Sequence, residues 1–328
     1  MQIRTLEGIV EGKLLNLPSI SFITQIHTQV SKINEGDLYI CQDPNNIEEA
    51  IKNGAFAILF ENNNVDISLD NEIAWIKVDD LEYASLKLAR FLLSTKDIKS
   101  YFCDDITTEL LSTIITNKKN IKVLSQNIFC DFRVLNNLSD EDVLVCSNMR
   151  YLTSVYPNIE NITKNIDINT INNLTIHSLF MCSFSYQSYF FDHIRLPYMY
   201  IKQFISLIIF ISNNKTLNTN IDISQLKHIV SFCPIFIDNH YDVVEFGKSN
   251  RFIIANDNKN LIDEHIDFIN TKYEYGKFKI IEKYNNDLDL LNQIKKDKFN
   301  AMYIFGKTKN ELEVILKNAQ QEQLALFS

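Results

Sequence analysis

The sequence predicts an α/β protein, and three observations carry that prediction. Short apolar runs bounded by turn residues alternate with segments of helical period along most of the chain, the pattern of sheets covered by helices. The 328 residues, 46% of them hydrophobic, suffice for more than one core, since domains usually hold about 100 to 200 residues. Only seven glycines occur, and none lies between Gly54 and Gly247, although soluble proteins average about 7% glycine. The middle of the chain therefore lacks the residue that lets a backbone turn with positive φ and close on phosphate oxygens.

The elements follow in order. A first unit spans residues 1–94. Gly36-Asp37-Leu38-Tyr39-Ile40-Cys41 reads as a turn entering a buried strand, residues 46–53 as a short helix closed by Gly54, and residues 55–60 as the next strand. A strand is expected at 73–78, then a helix at 81–94 with Leu81, Ala84, Leu88 and Phe91 or Leu92 on its apolar face. The second unit, 95–233, offers strands at 101–103, 121–124 and 142–146, a helix at 106–116 and an antiparallel hairpin from 179–184 and 188–196. Its last helix, 201–211, is apolar nearly all round, which predicts burial. The polar stretch 157–174 reads as a linker. A third unit, 234–320, alternates strand and helix: 251–255, 261–273, 278–282, 287–296, 301–305 and 309–318. Residues 321–328 form a tail.

The formal charge of −9 excludes a protein built to neutralise nucleic acid or an anionic membrane, because both require a basic surface. The six cysteines form no C-x-x-C pair and residues 1–22 lack a basic-then-apolar leader, so reduced thiols and a cytoplasmic location are expected. The apolar run 204–211 is far shorter than the ~20 residues that span a bilayer.

Gly36-Asp37-Leu38-Tyr39-Ile40, followed by Ile47-Glu48-Glu49-Ala50-Ile51-Lys52-Asn53-Gly54-Ala55-Phe56-Ala57-Ile58-Leu59, resembles the amino-terminal domain of the Mur ligases. Within that family it is most similar to the branch that joins D-Ala-D-Ala to UDP-MurNAc-tripeptide. The resemblance implies three domains: a small UDP-binding βαβ cap, a central ATP-binding α/β domain of P-loop type, and a carboxyl-terminal Rossmann-like domain. Leu196-Pro197 and residues 301–306 sit where the family has comparable segments.

The departures from the family are concentrated at its nucleotide site. Where it carries a strand, a G-x-x-G-K-T-T loop and a helix, this chain reads Ser100-Tyr101-Phe102-Cys103-Asp104-Asp105-Ile106-Thr107-Thr108. Cys103, Asp104, Asp105, Ile106 and Thr107 thus occupy a degenerate phosphate-loop position with neither glycine nor lysine. A helix N-terminus carries roughly half a positive charge and attracts phosphate, and Asp104 and Asp105 place carboxylates there instead. Ser147-Asn148 stand where the family has a metal-binding glutamate. Large side chains at Met199-Tyr200-Ile201 replace its glycine-histidine-asparagine patch, and 256–260 is a polar loop without the family's proline. Binding of ATP and Mg²⁺ is therefore expected to be lost, with no cofactor, metal or catalytic residue. The family's uridine-facing triplet falls near Gln29-Val30-Ser31, which makes Gln29, Ser31, Gly36 and Asp37 the candidate ligand-binding residues for a UDP-sugar.

The sequence reading is a Mur-ligase-like protein without ligase activity, a binding or regulatory module linked to peptidoglycan synthesis. Its expected partners are cell-wall synthesis proteins or a UDP-sugar. A divergent active ATP-dependent ligase is the main alternative. A second arises from the tail, where Gln323, Leu324, Leu326 and Phe327 resemble the peptide by which bacterial DNA polymerases dock on the sliding clamp; packing back onto the third unit is the other reading. Cys103 has no basic neighbour to activate it as a nucleophile. His177, Cys182 and His193 fit no common zinc spacing and are assigned core or surface roles. Glu264 and His265, with Asp263 and Asp267, read as the solvated face of a helix.

Overall fold

The computed structural model describes residues 1–61, 64–163, 170–273 and 276–326, with the backbone alone at 216 and 320–326. The chain forms two compact units, Met1–Thr108 with Ile115–Asn165 and Ser206–Asn220, and Glu109–Ile114 with Ile166–Ile205 and Ile221–Ser328.

The first unit opens with α1 (Ile3–Val10), β1 (Lys13–Leu14), β2 (Ile26–His27), β3 (Asp37–Ile40), α2 (Ile47–Lys52), β4 (Ala55–Phe60), β5 (Ala74–Lys77) and α3 (Leu81–Leu93). Its sheet has the order β1-β5-β4-β3-β2, parallel except for β1. Alternation along the strands fills two cores. Leu38, Ile40, Ala57, Leu59, Ala74 and Ile76 face one side, with Leu6 of α1 and Leu88 of α3. Tyr39, Ile58, Phe60 and Trp75 face the other, with Ile47 and Ala50 of α2. Gly54 permits the turn between α2 and β4: its φ is +99° and an added Cβ would stand 2.8 Å from the Glu35 Cα.

A four-stranded parallel sheet with its connections follows, in chain order β6 (Lys99–Phe102), α4 (Asp105–Ile114), β7 (Ile115–Thr116), which lies outside the sheet, β8 (Ile121–Val123), α5 (Ile128–Asn136), β9 (Val143–Cys146), α6 (Met149–Val155) and β10 (Ile159–Asn161). Its strand order is β10-β6-β9-β8. Leu144 and Cys146 of β9, Phe132 and Leu135 of α5 and Leu152 of α6 join the same core as α1 and α3. Asp80, Asn127 and Asn148 cap the N-termini of α3, α5 and α6 through their side chains.

The second unit contains an antiparallel sheet, β11 (Ile171–Ser178), β12 (Met181–Tyr186) and β13 (Tyr189–Ile194), followed by α7 (Ile201–Asn213), whose last residues lie in the first unit. After β14 (Asn220–Ile221) come β15 (Ile235–Ile237), β16 (Val243–Val244), β17 (Phe252–Ala255), α8 (Lys259–Lys272), β18 (Phe278–Ile281), α9 (Asp287–Lys296), β19 (Ala301–Ile304) and α10 (Lys309–Leu326). The sheet β16-β15-β17-β19-β18 is parallel across β17, β19 and β18 and antiparallel at β15 and β16. Ile253, Met302 and Ile304 bury one face beneath α9 and α10, and Phe252, Ile254 and Tyr303 bury the other against α8.

Three differences from the sequence reading have physical causes. The stretch read as a linker contains β10 and the first half of β11, edge strands whose side chains are mostly exposed, so they lack an apolar signature. In α3 the buried stripe runs through Ser85, Ala89 and Leu93, leaving Phe91 outside it and 41% exposed. In α8 Asp263, Glu264 and Asp267 are exposed as expected, but His265 is buried on the opposite side.

Candidate functional site: the end of the parallel sheet

In the four-stranded sheet β6 and β9 are neighbours, and the chain leaves them in opposite directions, toward β8 on one side and β10 on the other. Ligands of open parallel sheets bind at such a switch point, outside the carboxyl ends of the strands. Here the crevice is occupied by the protein's own groups. Cys103, the first residue after β6, donates its N–H to the Cys146 carbonyl at 3.2 Å, and both side chains are fully buried. Burial pushes the Cys103 thiol up to about 12. Asp104 is the N-cap of α4: its Oδ1 accepts the Thr107 N–H at 2.7 Å, and its carbonyl accepts the Thr108 hydroxyl at 3.0 Å. Asp105 is exposed in the first turn, while Ile106 and Thr107 are buried. The positive end of the helix therefore meets a carboxylate of its own chain.

The β9 side is equally self-contained. Asn148 Oδ1 accepts the Tyr151 N–H at 3.1 Å, Asn148 Nδ2 donates to Gln126 Oε1 at 3.2 Å, and Gln126 Nε2 donates to Ser147 Oγ at 2.9 Å. The buried carboxylate of Asp131 on α5 accepts the Tyr151 hydroxyl at 2.6 Å and the Ser125 N–H at 2.8 Å. Burial, and then Asp131, hold the Tyr151 hydroxyl well above its ordinary range. A magnesium–nucleotide complex needs backbone N–H groups free for phosphate and a carboxylate or hydroxyl free for the cation. At this junction the Thr107 N–H is already bonded to Asp104 Oδ1, while the Thr107 hydroxyl has no hydrogen-bond partner among the described residues.

In the first unit the candidate ligand residues separate by role. Gln29 and Ser31 are exposed on a short 3₁₀ turn. Gly36 and Asp37 are buried at the amino end of β3. Gly36 has φ +99°, and its N–H donates to the Gly54 carbonyl at 3.0 Å. Asp37 accepts from the Thr24 hydroxyl at 2.5 Å, the Gln25 N–H at 3.0 Å and the Asn34 N–H at 2.9 Å, and its Oδ2 lies 3.3 Å from His27 Nε2. These contacts fix the 24–36 loop onto the strand. A cavity of about 550 Å³ opens instead at the carboxyl end of β3 and β4, lined by Cys41, Gln42, Pro44, Phe60, Glu61 and Leu81. Glu61 Oε2 accepts the Leu81 N–H at 3.0 Å and so caps α3. Gln42 and Glu61 escaped the sequence reading; the available signal was their place just after two parallel strands.

The Met199-Tyr200-Ile201 segment is packed: Tyr200 and Ile201 are buried, and the Tyr200 ring stacks on Phe232 at 5.4 Å. Gln323, Leu324 and Leu326 lie on the backbone of α10, which runs to Leu326; their side chains, and Phe327 altogether, lie outside the described residues. No helix among the described residues is long and apolar enough to cross a membrane.

Thiol accessibility follows from burial. Cys41, Cys103, Cys146 and Cys182 are buried and Cys130 is exposed, and burial pushes the Cys41, Cys103 and Cys182 thiols up to about 12. A disulfide reagent is expected to modify Cys130 rapidly in the native protein and these three only on unfolding. Fast native modification of Cys103, located by peptide mapping, would contradict the closed junction.

The architecture defines a class: it is the fold of the Mur ligases. Solved structures of MurF ligases share it over nearly the whole chain. MurF from Acinetobacter baumannii aligns with a TM-score of 0.56 at 9% identity, covering 97% of this chain and 98% of that one. The MurF ligase from Thermotoga maritima, solved in complex with ADP, aligns with a TM-score of 0.52 at 12% identity, covering 93% and 98%. No protein-family profile matches the sequence, and no curated protein does. At such low identity the likeness defines the fold alone.

Proposed function

We propose that this chain is a Mur-ligase-fold protein that no longer performs the ATP-dependent ligation step and serves as a cytoplasmic binding or regulatory module linked to peptidoglycan synthesis. The hydrogen bond from the Thr107 N–H to Asp104 Oδ1 carries this reading. It places a carboxylate where a phosphate would sit, so triphosphate would meet repulsion in place of a helix dipole. Acyl-phosphate chemistry without a phosphate cradle and cation ligands loses most of its electrostatic stabilisation. The cavity beside Gln42 and Glu61 remains open to a polar ligand, with a UDP-sugar as the class the fold favours.

One observation favours the rival reading, a divergent active ligase. The Thr107 hydroxyl is buried without a hydrogen-bond partner among the described residues, and an oxygen in the first turn after a β-strand could serve a bound cation. Calorimetric titration of the whole chain with MgATP separates the two. Binding weaker than about 1 mM, with no phosphate release on adding candidate amino-acid or peptide acceptors, is expected. Saturable tighter binding that Thr107→Val abolishes would establish the rival.

A further inference from the structure

We propose that His177, Asp192 and His193 form a binding site for a divalent transition-metal ion on the antiparallel sheet β11-β12-β13, separate from the β6–α4 junction. One ring nitrogen of each histidine and one carboxylate oxygen already lie within 4.8 Å of one another. Two imidazoles and a carboxylate form a donor set that suits Zn²⁺, Ni²⁺ or Cu²⁺ better than Mg²⁺ or Ca²⁺.

The backbone explains how this set arises. Consecutive residues of a regular strand point to opposite faces, so Asp192 and His193 should diverge. In β13, however, Cys182 pairs with Ile194 and Phe184 with Phe191, so Ser183 alone faces both Asp192 and His193. This is a β-bulge, which turns two successive side chains toward one partner. His193 adopts φ +47°, a left-handed conformation that residues with a side chain rarely take. A second irregularity lies across the sheet: Ile176 pairs with Cys182 and Ser178 with Met181, which leaves His177 as the extra residue of β11. Two bulges on the outer strands thus bring both histidines to one residue of the central strand.

That residue, Ser183, is 4% exposed and organises the cluster. Its hydroxyl donates to Asp192 Oδ1 at 3.0 Å, accepts the His193 N–H at 2.8 Å and lies 2.7 Å from His177 Nε2. Asp192 Oδ1 is also 2.7 Å from His193 Nδ1, and the two imidazole rings stack at 4.0 Å with 12° between their planes. The three ligand side chains are exposed, so an ion can reach them and water can complete its coordination. Cys182, which sequence spacing groups with the histidines, takes no part: it is fully buried and its Sγ donates to the Leu196 carbonyl at 3.2 Å.

The test is a titration of the whole chain with Zn²⁺ against a chromophoric chelator, repeated with Co²⁺ to read the ligand type from its absorption. Wild-type protein is expected to bind one Zn²⁺ with a dissociation constant well below about 1 mM. The Co²⁺ spectrum should show nitrogen and oxygen coordination without a thiolate charge-transfer band. His177→Gln and Asp192→Asn should each weaken binding more than about tenfold, as loss of one of three ligands demands, with unchanged circular dichroism. Cys130→Ser should bind as wild type. Wild-type binding weaker than about 1 mM, wild-type affinity in both ligand variants, or a thiolate band that Cys130→Ser removes would overturn the proposal.

Discussion

Replacing Asp37 with alanine is expected to destabilise the first unit by about 3 kcal/mol or more, because it leaves three donors without their acceptor at about 1 to 3 kcal/mol each. Asp37 is 2% exposed, and its two oxygens accept from the Thr24 hydroxyl and the Gln25 and Asn34 N–H groups. Alanine would leave these donors facing an apolar sheet edge, and each unsatisfied one costs about 1 to 3 kcal/mol unless water enters. Asp37→Asn keeps one acceptor oxygen and should lose less; Thr24→Val removes one donor with its partner intact and should lose least. The chain has one tryptophan, Trp75, fully buried on β5 of the same sheet. Its fluorescence therefore follows denaturant unfolding of this unit. A loss below about 1 kcal/mol for Asp37→Ala would show that the carboxylate does not hold the loop, and would return Asp37 to the candidate ligand residues.

What the sequence revealed and what it hid divide along local and non-local lines. The strand Ala55–Phe60 was legible to the residue because Gly54 starts it and six apolar residues follow. The Asp104 cap was legible because capping needs only residues three apart. The helix Ile128–Asn136 was not, since the buried Asp131 interrupts its apolar stripe and finds its partner, Tyr151, twenty residues on. The edge strand Ile171–Ser178 gave no signal, because exposed edges carry polar residues for reasons unrelated to a core. The His177–Asp192–His193 cluster depends on two register shifts, and register is set by pairing across strands rather than by spacing along one.

His265 supplies the second large effect. Placed by sequence among Asp263, Glu264 and Asp267, it turns inward on α8, 1% exposed, with its ring 5.8 Å from that of Tyr200 and 5.9 Å from that of Tyr303. Neither ring nitrogen has a hydrogen-bond partner among the described residues, so nothing offsets the cost of charging it there. Burial lowers its pKa from 6.5 to about 4. The sign follows by linkage. Between these values the unfolded chain takes up a proton that the folded chain refuses, so stability is lost as pH falls from about 6.5 toward 4 and the loss stops below that. The full loss amounts to roughly 3 kcal/mol, at about 1.36 kcal/mol per unit. His265→Leu removes the group while keeping an apolar side chain. It should flatten the pH dependence of second-unit unfolding, followed by tyrosine fluorescence, and raise stability at pH 5 relative to wild type. Comparing variant with wild type cancels the other five histidines. Parallel pH profiles for the two proteins would mean that the ring is solvated, and that the packing around Tyr200 is looser than its burial indicates. A flattened profile would support the closed packing of His265 between Tyr200 and Tyr303.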